Sequence, residues 1–387
     1  MLESRAGKGF LEGMGSARAE ASNLTSGRIS RIRRGVLDWY AREKRDLPWR
    51  KRPTPYRVWV SEILLQQTRV ETAIPYFRDL MRRFPSLRSL SRARVDEVLM
   101  AWSGLGYYRR ARNLHQAVRE VEERYGGKVP RSAEALRSLP GIGDYTAGAI
   151  RSIAFGERAA AVDGNTFRVV ARLQAYRGDP KRSGAMGRVR RWAETLVPVR
   201  DPGVFNQALM DLGARICLPR NPSCEKCPVR GSCRARKQGL ARSIPPASPS
   251  RSRRVREVAA VIRRGGRVLL ARRPEKGLLG GLWELPGGEM VDSLPEEQFL
   301  RDLTRERLGL QVRVVKRLGE IRHSIMDRQI RGVAFDCRVE KGRLRTRVYE
   351  ACRWLSPEEI RDVPITGATR KYLPHLAKAA RPREVEV

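Results

Sequence analysis

Apolar residues recur in this chain at steps of three and four as far as about Cys233, and at steps of two beyond about Arg256. A helix returns a residue to the same face every 3.6 positions and a strand every second position. The change of period therefore predicts two architectures in one chain: an all-α domain followed by an α+β domain. The length of 387 residues agrees, because domains usually run to roughly 100–200 residues. Between the two, residues 234–254 are rich in Pro, Ser and Arg; the stretch from Arg234 to Arg256 holds eight basic residues and no acidic one. That segment reads as an interdomain linker, free to lie along a polyanion or simply to be solvated. The expected division is an N-terminal extension (1–27), a helical domain (28–233), the linker (234–254) and an α+β domain (255–387).

In the helical part, Ile29, Ile32, Val36 and Tyr40 mark a first amphipathic helix that stops near Leu47-Pro48. Further helices are expected over residues 56–68, 71–83, 95–102, 110–125, 145–155 and 164–176. In the second part, Val258–Ile262 and Val268–Ala271 flank a turn at Gly265-Gly266, which predicts a hairpin. Ser293-Leu294-Pro295-Glu296 has capping-box spacing before a helix that Gly309 can end. Val333, Phe335, Cys337 and Val339 alternate as along a strand.

Composition narrows the function classes. At 41% hydrophobic and 31% charged residues the chain is globular rather than disordered. No apolar run is long enough for an export signal or a membrane helix, so neither a membrane nor a secreted role is expected. Lys plus Arg total 79 against 42 acidic residues, a formal charge of +37. Such an excess points to a polyanionic partner, although an arginine-rich proteome would leave the same mark, and charge alone licenses only nonspecific, salt-sensitive binding.

Four of the six cysteines fall within 17 residues, Cys217-x6-Cys224-x2-Cys227-x5-Cys233. Four thiolates from one proline-stiffened loop can hold either zinc or an iron–sulfur cluster, and spacing does not choose between them. Disulfides are disfavoured in a chain without an export signal. Cys337 and Cys352 stand apart, as small buried hydrophobes.

Leu139-Pro140-Gly141-Ile142-Gly143 precedes an apolar helix. Two glycines around one apolar residue permit a tight hairpin, whose N–H groups can receive a phosphate without reading sequence. Its plain alternative is a helix–helix turn. Twenty residues beyond Gly143, Asp163 opens another apolar helix, as an N-cap would. Glu62 lies far upstream in a segment so apolar that its carboxyl should tend to keep a proton. One acid that can donate and one carboxylate that can stabilise positive charge is the pair that glycosidic cleavage uses.

Taken together, the hairpin, Asp163 and the cysteine loop resemble the helix-hairpin-helix base-excision glycosylases. Pro48-Trp49-Arg50, Glu62-Ile63-Leu64-Leu65-Gln66-Gln67-Thr68, Gly104-Leu105-Gly106-Tyr107-Tyr108 and Phe205-Asn206-Gln207-Ala208-Leu209 resemble the adenine DNA glycosylase (MutY) branch. The likeness runs from Val36 to Cys233 almost without a gap, and more weakly to about Leu376. It implies a monofunctional glycosylase, because the lysine that attacks the sugar in bifunctional relatives is matched here by Tyr145. The implied target is adenine opposite 8-oxoguanine or guanine in duplex DNA, flipped out of the stack. Glu62 would protonate adenine at N7, Asp163 would stabilise the oxocarbenium sugar, and Tyr145 would orient that aspartate. Trp49, Arg50 and Gln207 would frame the base. Gln67, Thr68, Leu105 and Tyr107 would probe the opposite base and wedge the stack, a role that periodicity alone would not assign to Tyr107. Gly141 and Gly143 would meet the DNA backbone, and Cys217, Cys224, Cys227 and Cys233 would hold one structural 4Fe–4S cluster, with zinc as the alternative. A thymine- or uracil-mismatch enzyme of the same fold would have little use for Glu62, since a pyrimidine has no N7. A cluster-bearing DNA-binding protein without turnover would leave the acid, aspartate and tyrosine set unexplained.

The second domain resembles a Nudix fold, entered at Gly280-Gly281-Leu282-Trp283-Glu284-Leu285-Pro286-Gly287-Gly288-Glu289. Asp302-Leu303-Thr304-Arg305-Glu306-Arg307-Leu308-Gly309 lacks most of the carboxylates that hold magnesium in a working hydrolase, so recognition of 8-oxoguanine rather than hydrolysis is implied. His323, Ser324 and Met326 fall where relatives carry their lesion-reading loop, but Met326 stands at the expected hydroxyl and Asp327 at the expected histidine. The resemblance as a whole implies a monomer, cytoplasmic and DNA-associated, and the arginine excess suggests a bacterial source.

Overall fold

The computed structural model describes residues 24–246, 252–290 and 294–378. The expected extension up to residue 23, the linker centre (247–251) and Ser293 of the expected capping box lie outside them. The chain groups into two compact units. One is built from residues up to Ser91 and from Gln116 to Ser248, the other from Arg92–His115 and from Pro249 onward.

The helices are α1 (Ser26–Glu43), α2 (Pro55–Leu65), α3 (Val70–Arg83), α4 (Leu87–Arg92), α5 (Val95–Ala101), α6 (Arg109–Tyr125), α7 (Ala133–Ser138), α8 (Asp144–Ala149), α9 (Gly164–Gln174), α10 (Ala185–Leu196), α11 (Pro202–Arg215), α12 (Arg234–Lys237), α13 (Glu296–Leu308) and α14 (Gly367–Lys378). Local chemistry sets several of their starts. Thr54 caps α2, accepting from the Arg57 N–H, with Pro55 in the first turn, and Asp163 caps α9. The core of the first unit joins α1, α9, α10 and α11 through Ile32, Val36, Phe167, Val170, Val189, Phe205 and Leu209. Glycines allow the closest approaches. A Cβ on Gly148 would stand 2.1 Å from the Ala160 carbonyl oxygen, and one on Gly213 2.7 Å from the Asn165 Cβ. Instead of one α-helix over residues 145–155, the chain continues α8 as a π-helical turn, Ile150–Ala154.

Two boundaries differ from the sequence expectation. The first dozen residues of the expected linker pack on the helical unit: α12 buries Ala235, Ile244 is buried, and the Arg172 Nε donates to the Ile244 carbonyl at 2.7 Å. Two apolar anchors outweigh the polar composition around them. Residues 92–115, read as part of the helical domain, group with the second unit. There the Arg112 Nη2 donates to the Gly280 carbonyl at 2.9 Å, and Arg272 pairs with Asp96 at 3.3 Å.

The second unit carries, among the described residues, a seven-stranded mixed sheet of order β3-β2-β1-β6-β5, with β4 on β1 and β7 on β2. The strands are β1 (Arg253–Arg264), β2 (Arg267–Arg272), β3 (Trp283–Glu284), β4 (Gly287–Glu289), β5 (Leu310–Ile325), β6 (Arg328–Gly342) and β7 (Ala351–Leu355). β1 and β2 form the expected hairpin, with Arg264 opposite Arg267 and both turn glycines at positive φ, 54° and 74°. β1 runs parallel to β6, Val258 opposite Val333. Alternation sends Val258, Ala260 and Ile262 to a core with α13, and Ala259 and Val261 to a core with α14. Pro295, not a serine, precedes α13, and Gly309 ends it at φ 68°. No helix among the described residues is long and apolar enough to cross a membrane.

Candidate active site

A cleft of about 620 Å³ opens in the helical unit where α2, the start of α9, α8 and α11 converge. Its lining includes Glu62, Tyr145 and Asp163 together with Trp49, Arg50, Gln67, Thr68 and Gln207. The fold thus brings to one cavity eight residues spread from position 49 to position 207.

Glu62 sits on α2, a helix buried on nearly every side, and is itself 4% exposed. Burial pushes its carboxyl up to about 7; a hydrogen bond from Tyr145 opposes the rise, the charge of Asp163 adds to it, and Arg50 counters it. Its acid form is therefore well populated near neutrality. Tyr145 enters from the first turn of α8, just beyond the Gly143 N-cap, and its hydroxyl donates to Glu62 Oε2. Burial, then the charges of Glu62 and Asp163, hold that phenol well above its ordinary range, so it stays a donor.

This pairing corrects the expectation that Tyr145 orients Asp163. The aspartate is held instead by its own helix. The Thr166 N–H donates to Asp163 Oδ1 at 2.7 Å and the Asn165 Nδ2 donates to Oδ2 at 2.9 Å. Asn165 is fixed in turn by the buried Arg168, whose Nη2 donates to Asn165 Oδ1 at 2.8 Å and whose Nε donates to the Cys217 carbonyl at 2.7 Å. A chain of hydrogen bonds thus links the aspartate to the start of the cysteine loop. The sequence alone assigns no site role to Asn165 or Arg168. The signal available was the three-residue spacing between them, which places both on one face of α9.

The thiols of Cys217, Cys224 and Cys233 each raise the half-buried Cys227, which burial foremost pushes up to about 12. Arg172, fully buried, donates to Cys217 Sγ at 3.2 Å and to the Leu218 and Pro219 carbonyls. Among the described residues no three His, Cys, Asp or Glu side chains are drawn together tightly enough to hold a metal ion by themselves. The donor chemistry nevertheless fits a thiolate-bound group: four thiols on one loop, with an arginine at one sulfur to offset negative charge.

The two glycines Gly141 and Gly143 lie at the entry to α8. Gly141 takes a φ of 80°, open to glycine, and Gly143 caps α8. Leu105 and Tyr107 belong to the second unit. Tyr107 is half-exposed at φ 49°, and Arg110 lies over its ring, 5.6 Å from the centroid. Ser324 lies on β5, and Met326 occupies the β5–β6 turn at φ 55°, 68% exposed. His323 is half-buried, and neither ring nitrogen has a hydrogen-bond partner among the described residues; burial and Lys371 lower its pKa.

Comparison with known proteins gives two successive family matches along the chain, the first of which includes residues 92–115. The family model of the HhH-GPD superfamily of base excision DNA repair proteins matches residues 60–194, and the NUDIX domain model matches residues 258–375. The adenine DNA glycosylase of Homo sapiens is 36% identical over 400 residues, covering 89% of this chain and 73% of the human protein. The chain belongs to the adenine DNA glycosylase family. It is an adenine-specific DNA N-glycosylase of base excision repair, and its partner is DNA. A second member, from Buchnera aphidicola of Schizaphis graminum, is 41% identical over 204 residues, 52% of this chain and 59% of that protein. Among solved structures, a thermostable thymine-DNA glycosylase is 31% identical with a TM-score of 0.50, covering 55% of this chain and 98% of the other. In this adenine glycosylase chain the HhH-GPD match, residues 60–194, contains Glu62, Tyr145 and Asp163 of the cleft.

Proposed function

We propose that the enzyme removes adenine paired with 8-oxoguanine or guanine in duplex DNA, leaving an abasic site. The observation that carries this reading is the shared cleft: Glu62, a buried acid with its proton available near neutrality, and Asp163, a helix-capping carboxylate, line one cavity with Tyr145. An adenine turned out of the stack enters that cavity, because its glycosidic bond is inaccessible within the duplex. Trp49, Arg50 and Gln207 frame it, and Arg50 keeps a buried Nε–H without a partner among the described residues, a donor available to a bound base. Glu62 gives its proton to adenine N7, which makes the base a neutral leaving group. Asp163, held by the Thr166 N–H and Asn165, stabilises the oxocarbenium sugar as the bond breaks. Tyr145 donates to Glu62 and holds it toward the base. Water completes the hydrolysis. With a phenol rather than an amine at position 145, no Schiff base forms with the sugar.

Cys217, Cys224, Cys227 and Cys233 hold a 4Fe–4S cluster in this reading, zinc being the alternative. Bound there, the group would brace a loop whose exposed Arg220 and Lys226 meet phosphate, while Arg215 and Arg230 are paired with Glu43 and Glu225. The Nudix-like unit recognises the oxidised base with the β5–β6 turn around His323, Ser324 and Met326, and does not hydrolyse nucleotides. Gln67 and Thr68 from the cleft rim, and Leu105 and Tyr107 from the second unit, contact the opposite base and the stack.

The thymine-DNA glycosylase likeness favours a mismatch enzyme as a second reading. The buried acid argues against it, because a pyrimidine has no N7 to protonate. Heated-alkali nicking of A:8-oxoguanine, T:G and U:G duplexes tests both: cleavage confined to the adenine strand is expected, and cleavage of T:G alone would overturn the proposal.

A further inference from the structure

Asp211, on α11, has no part in the mechanism above, yet its side chain is fully buried. Arg50 forks onto it, Nη1 donating to Oδ2 at 2.9 Å and Nη2 donating to Oδ1 at 3.0 Å. The Arg45 Nε donates to the same Oδ1 at 3.0 Å. Both arginines line the cleft with Glu62, and Asp211, outside that lining, accepts from both. Their bonds and charges hold its carboxyl below the ordinary range although burial opposes this, so it remains an anion. A buried carboxylate is costly to desolvate and repays little stability over an apolar substitute. What it does supply is geometry, since a bidentate fork fixes a long side chain in one orientation.

We propose that Asp211 is a positioning residue for base excision: by fixing Arg45 and Arg50 it sets where the extruded base lies and how much positive charge faces Glu62. This rests on the reading of Glu62 as the proton donor. The charged and titratable groups sharing the cleft with Glu62 are Tyr145 from α8, Asp163 and Arg168 at α9, and Arg45 and Arg50 from the segment after α1. α3 brings only Val70 to that lining, and α11 only uncharged side chains. Removing the Asp211 charge leaves Arg50 less compensated and favours the Glu62 carboxylate over the acid.

The test is single-turnover excision from an A:8-oxoguanine duplex across pH 5–9 with the full chain. Asp211→Asn is expected to move the alkaline limb down by roughly half to one pH unit, and Asp211→Glu to restore most of it. A folded Asp211→Asn enzyme whose rate changes equally at every pH would overturn the proposal. Where circular dichroism shows that Asp211→Asn does not fold, Arg50→Met takes its place. It should move the limb upward, and an unmoved limb overturns the proposal. A Glu62→Gln enzyme with a normal rate and profile would instead refute the proton-donor reading, and this proposal with it.

Discussion

The hydroxyl of Tyr145 donates to the carboxyl of Glu62, joining two residues that line one cleft. That hydrogen bond favours the Glu62 anion, while burial favours the acid, and burial wins. Phenol and carboxyl therefore act as a pair, and their effects should not add.

Replacing Tyr145 by Phe removes the opposing hydrogen bond, so Glu62 should hold its proton to higher pH. The alkaline limb of the single-turnover profile is expected to move upward, and the rate at its plateau to fall as Glu62 loses its orienting partner. An unmoved limb would show that the phenol has no hold on the acid.

The same burial makes Glu62 a cost to the fold. Its folded carboxyl is raised to about 7 from an ordinary 4.5. The folded state thus binds more protons than the unfolded chain between those values, and stability falls as pH rises through that window. Glu62→Gln should raise the melting temperature at pH 8 more than at pH 5, while abolishing most excision. Equal shifts at both pH values would contradict the assignment.

Asn165→Ala leaves Asp163 with only its backbone bond. A hydrogen bond to a charged group contributes about 1.5–3 kcal/mol, and 1.36 kcal/mol is tenfold in rate. Excision should therefore slow by about 10- to 100-fold, with duplex binding retained. A near-normal single-turnover rate would show that the link from Arg168 to Asp163 is only structural.

Much of the fold was legible because periodicity is a local signal: α1, α2, α3, α6, α9 and the β1–β2 hairpin fall close to their expected bounds. α11 was missed although Phe205 and Leu209 repeat at helical spacing, because it is buried on most of its surface and shows no clear stripe; α10 was missed although Val189 and Ala193 mark its buried face. The candidate site was legible as residue types, but not as partners. No one-dimensional pattern says that Tyr145 turns to Glu62 rather than Asp163, or that Asp211 binds Arg50 across 161 positions. These are long-range contacts, which the helix packing decides. The same holds for Arg92–His115, whose grouping with the second unit depends on carbonyls and carboxylates far away in sequence.

The cysteine loop makes a separate prediction. Anaerobically purified protein should show a broad absorbance near 400 nm that Cys227→Ser removes or alters. Colourless protein carrying stoichiometric zinc would assign the four thiols to the other metal.

The most direct measurement compares wild type, Glu62→Gln and Asp163→Asn in single-turnover adenine excision from an A:8-oxoguanine duplex, with binding to the same duplex followed in parallel. Acid catalysis typically supplies about 10²–10⁴-fold, so each variant should lose at least about a hundredfold in rate while binding DNA about as tightly as wild type. Near-normal excision by either variant would contradict the claim that this acid and this aspartate act together on one nucleotide.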